Sequence, residues 1–319
     1  MRSSMQPVEL FKAVGRTVVP LAARQWLRRH EVRGRSTLNK ILRKQQTFQN
    51  KENLRNFNFT LRESWRPDGV SAMLRVKNEE DKIYYCLKSI LHVFDEIVLV
   101  DNHSEDRTPE ILRDFKRSED TGDKLKIYFY PFNIARCGPE HFDTPEDSVS
   151  SLAYYYNWTL SKCSLKYVCK WDGDMILIKE AREPFRQFLQ QVQKGPRMCW
   201  NVSGQAVYRD LANNHFLAKG EINSEIRIFP NGLNPRFYKV DLFEMLRSDP
   251  PLEDGTFDTP LFYELKFVNT NEFSHWSITD IPTDRKKREL ENFKLVKTGN
   301  VSSPRFEKLP ASFLDDQIS

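Results

Sequence analysis

The sequence predicts an α/β protein with a mostly parallel sheet flanked by helices, preceded by a helical extension. Two observations support this fold class. Apolar runs of five to seven residues alternate with segments in which apolar residues recur at helical spacing. Polar loops rich in acids directly follow three of these runs. Alternating strands and helices are typical of parallel sheets joined by right-handed crossovers.

Four apolar runs predict the strands of this sheet, namely residues 70–76, 96–100, 125–130 and 165–170. After the first run, Ile83, Leu87 and Ile90 recur at helical spacing and predict a helix. After the second run, Thr108 and Pro109 predict the start of another helix, with Thr108 as its N-cap and Pro109 in the first turn. The loops between strands and helices therefore lie where parallel sheets bind ligands, outside the carboxyl ends of the strands.

Two carboxylates follow the fourth run, Asp172 and Asp174, with Gly173 between them. In an extended chain their side chains would point the same way, and the glycine would leave room for a ligand. Such oxygen ligands suit Mg²⁺ or Mn²⁺, which also accept phosphate oxygens. The alternative is a polar turn, because Asp-Gly-Asp is common in turns. The motif therefore predicts either a cation and diphosphate site or a simple turn.

Three strings in this order resemble the nucleotide-sugar-binding half of a GT-A-fold glycosyltransferase, most closely of family two: VSAMLRVKNEED, EIVLVDNHSEDRT and KYVCKWDGDMIL. The resemblance covers residues 70–180 and extends more weakly to 290. It implies a GT-A-type, Rossmann-like sheet and the transfer of a sugar from a nucleoside diphosphate to a hydroxyl of a glycan or glycolipid, with inversion. A UDP-sugar is the first-choice donor, although the residues themselves do not identify the base.

The same resemblance implies roles for individual residues. Asp101 would contact the base or ribose, and Arg75 and Glu79 would line the same pocket. Asp172 and Asp174 would hold the ribose and the metal-bound diphosphate. Each has a structural alternative: Asp101 could cap its own loop, Arg75 could pair with a carboxylate, and Glu79 could be a first-turn helix residue.

Related transferases follow an arginine-bearing R-L-F strand with a histidine-glutamate pair whose glutamate acts as the base. This chain has Arg227, Ile228 and Phe229, and later Glu244, but Phe243 replaces the histidine. An inverting transfer needs one group that takes the proton of the acceptor hydroxyl. Glu244 is the first candidate, and a solvated surface acid is the alternative. The other candidates are Asp241, Glu225 and Asp254.

His275 lies where the resemblance places a residue that closes over the diphosphate or completes the metal shell. A neutral imidazole is an acceptable third ligand of Mn²⁺ or Mg²⁺ beside Asp172 and Asp174. The alternative is a half-buried histidine beside Trp276. The five cysteines form no C-x-x-C pair, so neither a zinc site nor a disulfide framework is expected.

The N-terminal arm carries the positive charge of the chain. Residues 1–69 contain 15 Lys and Arg but only 5 Asp and Glu, whereas the remainder is net acidic. Apolar and basic residues interleave before and after Pro20 and predict a basic amphipathic helix, which would lie on an anionic membrane surface or pack on the catalytic domain. The apolar stretch 17–23 is too short to span a bilayer. We expect no transmembrane anchor or signal peptide, and a cytoplasmic enzyme with peripheral membrane contact.

Domain limits follow from these segments. We predict a basic arm with a helical or partly disordered linker at 1–69, a GT-A domain at 70–290 and a tail at 291–319. The GT-A domain would comprise a nucleotide-sugar half at 70–180 and an acceptor half at 181–290.

Two other functions compete with a glycosyltransferase. A sugar nucleotidyltransferase needs a glycine-rich first loop, but residues 75–81 contain no glycine. A catalytically inactive binding protein would dock nucleic acid or a membrane through the basic arm. Nothing in the sequence resembles a DNA or RNA module, and aromatic residues do not interleave with the charges of the arm in a stacking pattern. No nucleic-acid partner is therefore expected.

Overall fold

A mixed sheet forms the centre of the fold in the computed structural model, which describes residues 45–270, 273, 283–302 and 304–319. The strands are β1 (Gln45–Phe48), β2 (Phe59–Arg62), β3 (Val70–Val76), β4 (Glu96–Asp101), β5 (Leu125–Phe129), β6 (Tyr167–Lys170), β7 (Met175–Leu177), β8 (Cys199–Arg209), β9 (His215–Pro230), β10 (Arg236–Lys239), β11 (Glu244–Arg247), β12 (Asp254–Thr256), β13 (Phe262–Phe267) and β14 (Phe306–Lys308). Ten of them make the central sheet, in the order β5-β4-β3-β6-β9-β8-β13-β7, with β12 paired to β8 and β14 to β9.

Seven α-helices flank these strands in the described ranges. They are α1 (Ile83–Ile90), α2 (Thr108–Ser118), α3 (Pro139–Asp143), α4 (Leu152–Leu160), α5 (Arg182–Val192), α6 (Asp284–Lys297) and α7 (Phe313–Ile318). Helices α1, α2 and α5 contribute to the core on one face of the sheet, and α4 contributes to the core on the other. Within the described ranges, no helix combines the length and the apolar character needed to cross a membrane.

The parallel half of the sheet confirms the predicted strands. Strand β3 occupies Val70–Val76 as predicted and pairs in parallel with β4 and β6, while β4 pairs in parallel with β5. Six of the seven β3 residues are buried, as expected for a strand covered on both faces. The carboxyl ends of β3, β4 and β6 therefore meet at one edge. Beyond β6 the sheet becomes mixed, because β9 runs antiparallel to both β6 and β8.

The linker prediction is wrong for the residues after position 44. Strands β1 and β2 form an antiparallel hairpin in which Gln45 opposes Arg62. Phe59 and Leu61 are buried in the same core as α4, since apolar residues alternate along β2 with period two. The predicted basic helix and its membrane contact lie in residues 1–44, outside the described residues. The domain limits stay a prediction.

The predicted polar tail adds to the fold. Helix α6 reaches Lys297, and β14 then pairs antiparallel with β9. Phe313 and Leu314 of α7 are buried against Leu265 and Phe267 of β13. These contacts occur because apolar side chains recur within an otherwise polar segment.

Candidate active site

The loops after β3 and β4 are joined by hydrogen bonds from backbone to side chain. The amide of Asn78 donates to Oγ of Ser104 at 2.9 Å, and the amide of Glu79 donates to Oγ1 of Thr108 at 2.8 Å. The prediction of Thr108 as an N-cap is wrong, because α2 already includes Thr108 and its N-cap is Arg107. The hydroxyl instead ties one loop to the other. The two loops thus form a single shelf at the carboxyl edge of the sheet.

Asp101 ends β4 at this shelf and is 5% exposed. Its Oδ1 accepts a hydrogen bond from the amide of Ser104 at 3.2 Å, so it caps its own loop. The neighbouring Asn102 donates from Nδ2 to the carbonyls of Tyr130 and Phe132, at 3.1 and 2.7 Å. These bonds hold the loop in place. A contact of Asp101 with the nucleotide stays a prediction.

Asp172 is held between two arginines at the end of β6. Its Oδ1 lies 2.8 Å from Nη2 of Arg75, and its Oδ2 lies 2.7 Å from Nη1 of Arg227. Burial opposes the ionisation of Asp172, but Lys170, Arg227 and Arg75 outweigh it and hold the pKa of the carboxyl far below its usual range. The structural alternative for Arg75, pairing with a carboxylate, is therefore present in the structure. Asp172 is ionised at neutral pH.

Asp174 lies beside a different cation. Its Oδ2 is 3.5 Å from Nζ of Lys266, which also lies 2.6 Å from Oε1 of Glu264. Burial raises the pKa of Asp174, and Lys266 and Lys82 oppose that effect. The extended arrangement expected for the pair is wrong, because the chain turns here and the amide of Met175 donates to the carbonyl of Asp172 at 3.1 Å. Each carboxylate consequently has its own cationic partners.

Gly173 has a different role from the one expected. A Cβ placed on it would lie 2.6 Å from Cγ1 of Val76 and 3.4 Å from Cγ of Glu79. The small residue therefore lets the turn pack against the end of β3. A larger residue at position 173 would collide with Val76, so the glycine is required by the packing of the protein rather than by the approach of a ligand.

The carboxylates of this cluster lie closer to solvent than their cations. The side chains of Asp172 and Glu225 are 30% and 37% exposed, whereas those of Arg75 and Arg227 are 5% and 2% exposed. Glu225 contacts Nη2 of Arg227 and accepts from Nζ of Lys170 at 3.2 Å. A ligand that enters from solvent meets an acidic layer backed by buried positive charge.

Glu244 lies in the same cluster, although it is far along the chain. It begins β11, which pairs antiparallel with β10. Burial raises the pKa of Glu244, while Lys170, Arg75 and a hydrogen bond from the Tyr156 hydroxyl oppose the shift. The guanidinium carbon of Arg75 lies 3.5 Å from the ring centroid of Tyr156. Tyr156 therefore lies between the predicted base and Arg75, and Arg75 in turn pairs with Asp172.

The segment between β5 and α4 covers this region from the side of β10 and β11. The amide of Gly138 donates to the carbonyl of Leu242 at 2.7 Å, and Nε2 of His141 lies 3.1 Å from the carbonyl oxygen of Val240. Lys239 donates to the carbonyls of Phe142 and Thr144, both at 2.7 Å. The segment that contains α3 is therefore docked on the end of β10 and on the turn that leads from β10 to Glu244.

The remaining candidates lie elsewhere or are paired. Asp241 and Asp254 are exposed, and Asp254 accepts a hydrogen bond from Nδ2 of Asn201 at 3.1 Å. Glu79 forms an ion pair with Lys82 at 2.6 Å, near the start of α1. His275 lies outside the described residues. Among those described, no group of three or more His, Cys, Asp or Glu side chains is arranged to hold a metal ion.

Sequence reasoning missed several members of the cluster: Lys170, Tyr156, Glu264 and Lys266. A usable signal was present in β13, where Glu264 and Lys266 alternate with Leu265 and Phe267. Period-two alternation places the two charges on one face of a strand, and charged residues in a buried strand need partners. The pairing of β13 with β7 and β8 then brings that face to Asp174.

The shelf and the strands below it also match a known family. Residues 71–134 match the model of glycosyl transferase family 2. This protein is a glycosyltransferase of the GT-A fold. The match confirms the resemblance read from the sequence, and it covers β3, α1, β4, α2, β5 and the two loops of the shelf.

Solved structures show a weaker likeness to this glycosyltransferase. S. aureus TarS 1–349 in complex with UDP is 15% identical and aligns over 78% of this chain and 69% of its own, with a TM-score of 0.36. Glucosyl-3-phosphoglycerate synthase from Mycobacterium tuberculosis, in complex with Mn²⁺, UDP and phosphoglyceric acid, is 18% identical. It aligns over 45% of this chain and 44% of its own, with a TM-score of 0.28. No curated protein matches the sequence.

Proposed function

We propose that this glycosyltransferase moves a sugar from a nucleoside-diphosphate sugar to a hydroxyl of a glycan or glycolipid, with inversion and with a bound divalent cation. One observation carries the proposal. The shelf formed by the loops after β3 and β4 lies at the same sheet edge as the cluster that joins Asp172 to Glu244. Open α/β sheets bind ligands in the crevice outside the carboxyl ends of their strands. A UDP-sugar is the first donor to test, on the family resemblance.

The charge layering supports the divalent cation. A diphosphate that approaches from solvent would meet the carboxylates of Asp172 and Glu225 before the buried arginines, and like charges repel. Carboxylate oxygens are the ligands that Mg²⁺ and Mn²⁺ prefer. Asp172 and Asp174 would hold the ion, with His275 as the predicted third ligand. When bound, such an ion neutralises charge on the leaving diphosphate.

Arg75 and Arg227 keep Asp172 ionised and fixed in position, which favours binding of the ion. Arg75 and Arg227 lower the pKa of Asp172 and hold its two oxygens in one orientation. An ionised carboxylate can bind a cation at neutral pH without first losing a proton. The arginines therefore have a positioning role, and the carboxylates face the ligand.

Glu244 is the proposed base. A general base works best when its pKa lies near the working pH, and burial raises the pKa of Glu244 in that direction. Tyr156 hydrogen-bonds to the Glu244 carboxylate, and the positive charge of Arg75 favours its ionised form. Glu244 would take the proton of the acceptor hydroxyl as its oxygen attacks the sugar, while the diphosphate leaves on the opposite face.

A thermal-shift experiment tests the proposal. The melting temperature is measured with UDP, GDP and UDP-glucose, each with and without Mn²⁺. A ligand at 100 times its dissociation constant adds about 2.7 kcal/mol of stability, so the melting temperature should rise with concentration. Asp174→Asn should lose the Mn²⁺-dependent part of this rise, because it removes a carboxylate proposed to bind the ion.

Asp254→Asn provides the matched control, because Asp254 is an exposed acid in β12 that forms no ion pair among the described residues. It should behave as the wild type. A wild-type protein stabilised by none of these nucleotides would contradict the donor site. An unchanged Mn²⁺ response in Asp174→Asn would remove Asp174 as a ligand.

A further inference from the structure

A second pocket lies at the opposite edge of the sheet from the acidic cluster. It is lined in part by Trp65, Arg66, Lys166, Arg197 and Asn231, and its volume is about 250 Å³. Lys166 directly precedes β6, whereas Asp172 follows its end. Six residues of nearly extended chain span about 20 Å, so the body of the sheet separates the two regions.

Trp65 borders this pocket and is 86% exposed. Trp158 and Trp171, by contrast, are 4% and 0% exposed, which is usual for tryptophans in a core. A single exposed apolar residue needs no explanation by itself. Trp65 is informative because its flat apolar surface lies beside a polar concavity, and tryptophan is enriched at interfaces where one end of its side chain is in an apolar setting and the other is in water.

The polar wall of the pocket is rigidly built. Nδ2 of Asn231 donates to the carbonyls of Cys163 and Leu165, both at 2.9 Å. Nζ of Lys166 lies 3.0 Å from Oδ1 of Asp68 and donates to the carbonyl of Gln193 at 2.6 Å. Side chains held in this way lose little conformational entropy when a ligand binds, which lowers the free-energy cost of binding.

Two polar atoms of the wall have no hydrogen-bond partner among the described residues. They are Oδ1 of Asn231, a residue only 6% exposed, and Nε of Arg66. Arg66 is itself fixed, since its Nη1 donates to the carbonyl of Cys163 at 3.2 Å. Buried polar atoms almost always have a partner, so an unpaired acceptor and donor just behind the lining of one pocket indicate that a ligand or an ordered water bonds to them once the side chains shift.

The charges of the pocket indicate what that ligand is. Glu63 and Asp68 offset the three cations Arg66, Lys166 and Arg197, so the lining carries a net charge of +1. Glu63 contacts Arg197, and Asp68 pairs with Lys166, which leaves little positive field for a phosphate. An amide, a guanidinium and an indole together suit a neutral ligand with many hydroxyls and a flat C–H face.

We propose that this pocket binds a segment of a glycan chain at a distance from the site of transfer. The proposal rests on the glycan acceptor of the proposed function. The indole of Trp65 packs on one face of a sugar ring, and Asn231 and Arg66 bond to its hydroxyls. Binding at a second site raises the effective concentration of the same chain at the first. Long acceptors are therefore retained between transfers better than short ones.

Affinity electrophoresis of the full chain tests this pocket. Native gels contain dextran, soluble β-glucan or xylan, which are rich in hydroxyls, and wild-type protein should be retarded in at least one of them. Trp65→Ala should weaken that binding about tenfold, because loss of aromatic packing costs on the order of 1 kcal/mol or more. Trp65→Phe should recover part of it. The side chain is exposed, so these changes leave the core intact.

Leu211→Ala is the matched control, since Leu211 is 69% exposed and lies between β8 and β9. It should be retarded as the wild type is. Wild-type protein that migrates equally in all gels, or Trp65→Ala retarded as strongly as wild type, would overturn the pocket. The nucleotide-dependent melting shift separates the two proposals. A shift without retardation rejects only the pocket, and retardation without a shift supports the pocket but counts against the transferase.

Discussion

Replacing Asp172 by asparagine tests how much the ion pairs of this carboxylate with Arg75 and Arg227 contribute to the stability of the fold. The amide keeps the size of the side chain but removes its charge and one acceptor oxygen. Arg75 at 2.8 Å and Arg227 at 2.7 Å then both lose their anionic partner, and one of them also faces an NH2 group in place of an acceptor oxygen. Both guanidinium groups are buried, so water does not replace the lost bonds.

The expected cost is about 3 kcal/mol in the free energy of unfolding. Removing one partner of a buried ion pair typically costs about 3–5 kcal/mol because it leaves an uncompensated charge. The lower end applies here, since Asp172 is 30% exposed and Glu225 still contacts Arg227. Asp174→Asn is the control. Burial raises the pKa of Asp174, so its charge is less favoured by folding and its loss should cost no more than about 1 kcal/mol.

Urea denaturation, followed by far-UV circular dichroism, measures both variants. The pKa of Asp172 is lowered in the folded state, so its contribution is complete at neutral pH and is lost as the pH falls below about 4, the value for an unfolded Asp. The difference between wild type and Asp172→Asn should therefore be largest at pH 7 and shrink on acidification. The reasoning would be refuted if wild type and Asp172→Asn had equal free energies of unfolding at pH 7, or if Asp174→Asn lost more stability than Asp172→Asn.

Two further predictions concern the base and the glycine turn. Glu244→Gln should lower turnover of the donor about 100- to 10,000-fold while keeping the nucleotide-dependent melting shift, and full turnover would exclude Glu244 as the base. Because burial raises the pKa of Glu244, wild-type turnover should decline on acidification with an apparent pKa above that of a free glutamate; a decline only at lower pH would contradict this role. Gly173→Ala should destabilise the protein by about 1–3 kcal/mol in urea denaturation, because the new Cβ would lie 2.6 Å from Cγ1 of Val76. Gly122→Ala, where the nearest atom lies at 3.7 Å, is its control, and equal stability of the two variants would show that the turn can relax.

Local patterns predicted the strands at the site well. Strand β3 begins and ends at the predicted residues, and β4 extends one residue beyond the predicted run. Both are continuous apolar runs bounded by polar loops, so burial alone specifies them. The hairpin of β1 and β2 escaped notice because its apolar residues alternate within a segment rich in charged and amide side chains.

Long-range pairing decided which charges meet. Asp172 and Arg227 are 55 positions apart, and their contact follows from the antiparallel pairing of β6 with β9. Lys266 reaches Asp174 because β13 lies between β7 and β8. The periodicity of apolar residues along the chain does not reveal these contacts, because the partner of a charged residue depends on strand order and register.

The amino-acid sequence by itself determined the α/β class and the strands that end at the candidate site, and it singled out Asp101, Asp172 and Asp174 as candidates for that site. These features depend on local periodicity and on residue chemistry, both of which can be read along the chain. Only the tertiary structure decided that Asp172 is held between two buried arginines, that Gly173 packs against Val76, and that Glu244 joins the same cluster. The physical reason is that charges taken out of water must find partners, and sheet topology chooses which partners are within reach.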